Sequence, residues 1–375
     1  MTMKRITDIP RENLRGLRVL VRSELNVPIG NSHVRNDFRI RKAIQTISYL
    51  RERGAKVIVC AHVGREPNES LEPIARVLKP LIPHVFIRDI VGAETKMAVS
   101  AMAEGDVLLL ENLRQHPGEA ANDPEFARAL AGLADVYVND AFSVSHRDHA
   151  SITGVPTHIP GYAGILFAEE YEHLSAALNP VSPSVVLVGG AKFETKEPLI
   201  RKLLDIYDAV FIGGAIANDL LKARGLPVGR SVISTGSPAA DVVKHPRLVI
   251  PSDVTVENEA HQAHVKKAAD VAGGDKIVDI GPDSFAELAR LIREAKFVLW
   301  NGPTGLYEDG YVEWTEAVAQ AIAGSSAYTV VGGGDTIATI AELGIEQKYT
   351  FLSTAGGALL EFLTKGTLPG IEALK

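Results

Sequence analysis

Arginines and histidines recur at matching places in the first half of this chain, each behind a short apolar run. "VLVR" leads into Ser23-Glu24-Leu25-Asn26, and "VIVCA" leads into His62-Val63-Gly64-Arg65. "LLLE" leads into Asn112-Leu113-Arg114, and "VYVND" into Ala141-Phe142 and then Ser145-His146-Arg147. Arg39 follows the first run closely. One such arginine is a solvated surface group. Four arginines and two histidines behind successive apolar runs, in a chain of formal net charge −7, describe a pocket for a small, multiply charged anion. Guanidinium forks match carboxylate and phosphate geometry, and each charge-assisted hydrogen bond contributes about 1.5–3 kcal/mol.

The second half puts glycines at the equivalent places: "LVGGAK", "FIGGA", "WNGPTG", "VVGGGDT" and "STAGGA". Glycine behind a strand lets backbone N–H groups approach phosphates or a flat base. With Lys192 beside one pair and Asp335 beside another, the five together favour a nucleotide site over plain turns. The chain has no G-x-x-x-x-G-K-[ST], no G-x-G-x-x-G and no G-x-S-x-G, so the site is neither a P-loop nor a dinucleotide fingerprint nor a hydrolase elbow.

Parallel β-strands must position both sets. A chain of 375 residues is better read as two domains than one. Apolar runs alternate with amphipathic segments, the βαβ pattern of parallel sheets covered on both faces. Strands are expected at 17–22, 56–61, 84–89, 106–111 and 135–140, then at 184–189, 209–214, 247–252, 276–281, 297–302, 328–333 and 349–354. The segment 164–180 reads as an interdomain helix ending at Asn179-Pro180. The expected fold class is therefore α/β, with two doubly wound, Rossmann-like parallel-sheet domains and the active site in the cleft. The domains are expected at 1–163 and 181–359. Open α/β sheets bind ligands beyond the carboxyl ends of their strands, where both residue sets fall.

Composition narrows the function further. The chain is 46% hydrophobic and 23% charged, too apolar for disorder, and its acidity argues against nucleic acid as a partner. Cys60, the one cysteine, reads as a buried strand residue, and no Cys/His cluster has zinc spacing. The start lacks a signal-like stretch and no run is long enough for a membrane span, so a cytoplasmic protein is expected. Histidines outside the motifs, such as His173, His245, His261 and His264, read as surface or helix residues. The His261/His264 pair, taken as helical, lacks a third metal ligand.

Over nearly its whole length the chain resembles the phosphoglycerate kinase family. The resemblance rests on "RSELNVP" (22–28), "AHVGR" (61–65), "LLENLR" (109–114), "VYVNDAF" (136–142) with "HRDHAS" (146–151), "GGAK" (189–192), "WNGPTGLYE" (300–308), "VGGGDT" (331–336) and "STAGGALLEFL" (353–363), in family order. It implies reversible, Mg²⁺-dependent phosphoryl transfer between 1,3-bisphosphoglycerate and ADP, giving 3-phosphoglycerate and ATP, by in-line transfer with hinge closure in a monomer. On the first domain it implies that Glu24, Asn26, Arg39, His62, Arg65, Arg114, His146 and Arg147 bind phosphoglycerate. On the second it implies a nucleotide site formed by Gly190, Ala191, Lys192, Lys196, Gly213, Gly214, Asn301, Pro303, Glu308, Gly333, Gly334, Asp335 and Thr336. Lys192 and Lys196 match phosphate-binding lysines, Gly213 and Gly214 part of the adenine pocket, and Glu308 the ribose ligand. Arg39, Lys192, Gly334 and Gly357 are the expected catalytic groups, and Asp335 the metal ligand. A carboxylate beside phosphate is repulsive only while the cation is left out of the charge count; the alternative for Asp335 is a helix N-cap. The resemblance also implies that the last segment, 360–375 with "LPGIEALK" (368–375) at its end, returns to the first domain.

Several positions depart from the family pattern. Glu24 replaces an aspartate expected to bond the glycerate hydroxyl, and Gln115 replaces a phenylalanine. "DAFSVSHRDH" replaces D-A-F-G-x-A-H-R-x-H, bringing Ser143, Ser145 and Asp148. Ala215 and Ala355 stand where the family has glycines, a substitution that costs on the order of 1 kcal/mol where φ must be positive and nothing elsewhere. Two rival readings are a non-catalytic ligand-binding protein, which would have lost Lys192, Arg39 or Asp335, and a dehydrogenase, which needs the missing fingerprint.

Overall fold

The computed structural model describes residues 3–27, 29–30, 33–34, 38–64, 66–191 and 193–375. Tertiary contacts divide the chain into two units, Met1–Glu172 with Thr367–Lys375, and His173–Gly366. The helix Ile165–Ala177 carries the chain from one to the other.

The first unit contains β1 (Arg18–Ser23), β2 (Ile29–Gly30), β3 (His33–Val34), β4 (Lys56–Cys60), β5 (Val85–Ile87), β6 (Val107–Leu110), β7 (Val136–Asp140) and β8 (Gly161–Ala163). Six of these form a parallel sheet in the order β5-β6-β4-β1-β7-β8, while β2 and β3 pair antiparallel with each other. The central strands are buried almost throughout, as strands covered on both faces must be. Val19, Val21, Val57 and Val59 share one core with Ile40, Ala43, Ile47 and Leu50 of the helix Phe38–Arg51. The 3-4-3 spacing of those helical residues puts them on one stripe, and each fully buried large side chain contributes about 1.5–3 kcal/mol. Strand order reverses between β1 and β7. Register sets Arg22 opposite Cys60 and Ser23 opposite Asp140, so the loops after β1, β4 and β7 emerge together.

The second unit contains β9 (Ser184–Val188), β10 (Ala209–Ile212), β11 (Leu248–Val249), β12 (Asp253–Glu257), β13 (Ala263–Lys267), β14 (Lys276–Ile280), β15 (Phe297–Asn301), β16 (Tyr328–Gly332) and β17 (Phe351–Leu352). Its parallel sheet has the order β11-β10-β9-β15-β16-β17, with the reversal between β9 and β15.

The structure corrects the sequence reading in three places. The strand expected at 276–281 forms, as β14, but in a separate antiparallel sheet of order β13-β12-β14. Its apolar run is the same whichever sheet receives it. His261 and His264 are not a helical pair: His264 lies on β13, and His261 sits in the turn before it with φ 57°. The Asn258 side chain makes that turn by accepting from the amides of Ala260 and Gln262, both at 2.9 Å. Strands β2, β3, β8, β12 and β13 had no expectation; β13 is largely exposed, so no apolar run marks it.

Candidate active site

The loops at the first unit's reversal gather most of the expected anion ligands. Arg39, in the first turn of its helix, reaches back to the loop after β1. Its Nη1 donates to the Asn26 carbonyl at 2.8 Å and lies 3.4 Å from Glu24 Oε1. Asn26 Oδ1 accepts from the Gly64 amide at 3.1 Å, and Arg114 donates to the Gly64 carbonyl, which joins the loops after β1, β4 and β6. His62 is buried behind β4. Burial and then the charges of Arg22, Arg114, His149 and Arg147 hold its imidazole well below the usual range. Burial, Arg147 and Arg22 likewise lower Arg114. Arg147 is exposed and His146 half-buried in the loop after β7. Arg65 lies outside the described residues.

Arg22 escaped the sequence reading, although a charge within an apolar strand was its signal. It is 1% exposed. Its Nε donates to Ser151 Oγ at 2.9 Å, and that hydroxyl donates to buried Glu119 at 2.6 Å. Its Nη2 lies 3.0 Å from His62 Nδ1. A buried guanidinium is tolerable because the hydroxyl links it to a buried carboxylate. Asn112 also went unread. It accepts from the amides of Val63 and Arg114 and donates to the carbonyls of Val63 and Glu69, which ties the loops after β4 and β6 together.

Most departures from the family pattern find local partners. Ser143 Oγ donates to Glu24 Oε2. Buried Ser145 donates to the Ala141 carbonyl and accepts from Asn139, both at 3.0 Å. Asp148 accepts from Asn122 at 2.9 Å and from Thr153. Gln115 donates to the Glu69 carbonyl at 3.1 Å. Among the described residues, Asn122 and His261 are the non-glycines with positive φ, so Ala215, Ala355 and Ser143 stand at backbone positions that any residue can adopt.

In the second unit the glycine runs divide into two kinds. Some let loops pack on one another. A Cβ at Gly189 would lie 2.0 Å from the Pro303 carbonyl, and its amide donates to the Asn301 carbonyl at 2.8 Å. Gly190 and Ala191 lead from there into the helix Phe193–Ile206, where burial lowers the Lys196 ammonium and Nζ donates to the Gly189 carbonyl at 2.6 Å. Gly214 donates to the Thr304 carbonyl at 2.8 Å, next to buried Gly213. Thr336 Oγ1, buried, accepts from the Gly302 amide at 3.1 Å. A small recess beside these loops is lined mainly by apolar side chains, among them Leu221, Val254, Ile280 and Leu306, with Asp279 and Thr304 also in its wall.

The other kind faces open space. Gly334 and Gly357 begin nine-residue helices, Gly334–Glu342 and Gly357–Lys365, behind the adjacent strands β16 and β17. Their N-caps, Gly333 (φ 100°) and Gly356 (φ 54°), provide no side-chain cap, and a Cβ at Gly334 or Gly357 would touch nothing within 4 Å. Uncapped first-turn N–H groups at two neighbouring helices suit an anion. The N-cap alternative for Asp335 does not hold, because Gly333 takes that position and Asp335 is exposed in the first turn. Among the described residues no group of three or more His, Cys, Asp or Glu can hold a metal. A single carboxylate fits a hard cation that arrives on phosphate oxygens better than one caged by protein. Glu308 is exposed in the turn Tyr307–Asp309, and Lys192 lies outside the described residues.

No helix among the described residues is long and apolar enough to cross a membrane. Residues 6–366 match the family model described as phosphoglycerate kinase. The chain is 40% identical over 394 residues to the phosphoglycerate kinase of Dictyoglomus turgidum, covering 100% of both chains. It is 43% identical over 382 residues to that of Moorella thermoacetica, covering 96% of this chain and 97% of the relative. The solved phosphoglycerate kinase of Coxiella burnetii superposes with a TM-score of 0.85 at 37% identity, over 100% of this chain and 99% of that one. By sequence and by fold, this chain belongs to the phosphoglycerate kinase family.

Proposed function

We propose that this chain transfers a phosphoryl group reversibly between 1,3-bisphosphoglycerate and ADP, forming 3-phosphoglycerate and ATP. The observation that carries the reading is the convergence of Arg39, Asn26, His62 and Arg114 at the first unit's strand-order reversal, supported from behind by buried Arg22. The substrate set is Glu24, Asn26, Arg39, His62, Arg65, Arg114, His146 and Arg147. The nucleotide set lies in the second unit, with Gly213 and Gly214 forming part of the site for the base.

In the direction of ATP use, a carboxylate oxygen of 3-phosphoglycerate attacks the γ-phosphorus, the bond to the β–γ bridging oxygen breaks, and ADP leaves. A carboxylate is already a nucleophile, so no general base is required. The chain's task is positioning and charge stabilisation. Arg39 and Lys192 act as the cations on the transferring phosphoryl group, and the N–H groups of Gly334 and Gly357 donate to its oxygens. Asp335 would hold a magnesium ion brought by ATP or ADP, and the ion would neutralise phosphate charge there. Substrates held on separate units must meet, so closure on binding both is part of the reading. Small-angle scattering showing no compaction with both ligands would argue against closure. The reading includes a monomeric, cytoplasmic enzyme of small molecules.

The test is ATP consumption with and without 3-phosphoglycerate and Mg²⁺, alongside Lys192→Ala. Turnover that does not depend on 3-phosphoglycerate would sink the assignment. Near-normal turnover of Lys192→Ala would remove that lysine from the mechanism. Asp335→Asn should raise the Mg²⁺ requirement, and unchanged metal dependence would release Asp335 from its role.

A further inference from the structure

Glu24 and Ser143 are two of the departures from the family pattern in the first unit. They touch each other. Glu24 follows β1 and Ser143 follows β7, the adjacent strands whose register sets Ser23 opposite Asp140, so both leave the same end of the sheet at the reversal. Glu24 is 1% exposed, with Oε2 accepting from Ser143 Oγ and Oε1 3.4 Å from Arg39 Nη1. The carboxylate is therefore fixed by two groups from different elements.

Each departure makes sense only with the other. An aspartate at position 24 would end one methylene short, with its carboxylate about 1.5 Å farther back along the side chain, which weakens the contact with the hydroxyl. A glycine at position 143 would offer no hydroxyl and leave the longer acid with the more distant Arg39 contact alone. Ser143 sits in the short turn Phe142–Val144 without positive φ, so the backbone does not require glycine there. A charge-assisted hydrogen bond to a nearly fully buried carboxylate contributes more than one on the surface.

We propose that Ser143 is a positioning residue, which holds the lengthened Glu24 so that its carboxylate meets the glycerate hydroxyl of the substrate. The proposal rests on the functional reading above. It makes substrate recognition depend on the Glu24–Ser143 pair as one unit.

The test is a double-mutant cycle of Glu24→Asp, Ser143→Ala and the double variant, reading KM for 3-phosphoglycerate, KM for ATP, kcat and melting temperature. Ser143→Ala keeps the β-carbon and removes only the hydroxyl. Each single substitution should raise KM for 3-phosphoglycerate about tenfold and leave KM for ATP unmoved. The double variant should be no worse than the poorer single, because both break the same contact. The proposal is overturned if Ser143→Ala leaves KM for 3-phosphoglycerate within about twofold, if the two effects multiply, or if both KM values rise together. An unaltered protein without 3-phosphoglycerate-dependent turnover would overturn the functional reading itself, and this proposal with it. That failure is visible before any substitution is made.

Discussion

Arg22 Nη2 lies 3.0 Å from His62 Nδ1, with both side chains buried. A guanidinium has only donors, so Nδ1 accepts and the neutral ring carries its proton on Nε2. A proton on Nδ1 would break this contact and place two cations together, in keeping with the strongly lowered imidazole. His62 can thus present a neutral N–H donor, while the arginines around it carry the charge.

Nitrogen-correlated NMR of the histidine side chains should show His62 as the Nε2–H tautomer throughout neutral pH. Arg22→Met should move its titration up toward the ordinary histidine range of about 6.5. The sign of the stability effect follows. A base lowered in the fold contributes stability in full above its unfolded range, and this is lost as pH falls below about 6.5. Thermal melting should therefore show a steeper loss of stability in mild acid for the parent protein than for His62→Gln.

Arg114→Ala should raise KM for 3-phosphoglycerate by about tenfold or more and leave KM for ATP unchanged, since one charge-assisted contact is lost. Arg114 also donates to the Gly64 carbonyl, so circular dichroism should accompany the kinetics. Equal effects on both KM values would remove Arg114 from the substrate site.

Asp140, at the end of β7, is buried and pushed up to about 7 by desolvation, against hydrogen bonds from Thr46 and the Phe167 and Leu166 amides. A carboxyl raised in the fold contributes stability fully below its unfolded range of about 3.9, which is lost as pH rises through about 7. Asp140→Asn should melt with less difference between pH 5 and pH 8 than the parent. An unchanged difference would mean that the helix N-terminus supporting Asp140 already offsets its burial.

Gly334→Pro and Gly189→Ala should fail in opposite ways. Proline is tolerated at the first helical position, so Gly334→Pro should melt within a few degrees of the parent while kcat falls by about 10²–10³ through loss of one N–H donor. A Cβ at Gly189 would lie 2.0 Å from a backbone carbonyl, so Gly189→Ala should lose stability first. The reverse pattern would exchange the roles given to these two glycines.

The sequence by itself determined the two α/β sheets, the strand ends that carry arginines or glycines, and the family. It could do so because buried parallel strands read as apolar runs, and ligand residues stand at fixed offsets behind them. It did not determine which sheet receives "KIVDIG", since the same apolar run suits either. It did not separate Gly189 from Gly334, because the difference is what a Cβ would meet across the fold. Nor did it pair Arg22 with His62 or Glu24 with Ser143, which lie 40 and 119 residues apart along the chain. Only the tertiary structure decides those contacts. Parallel register brings distant loops to one sheet edge, where burial makes each donor find an acceptor.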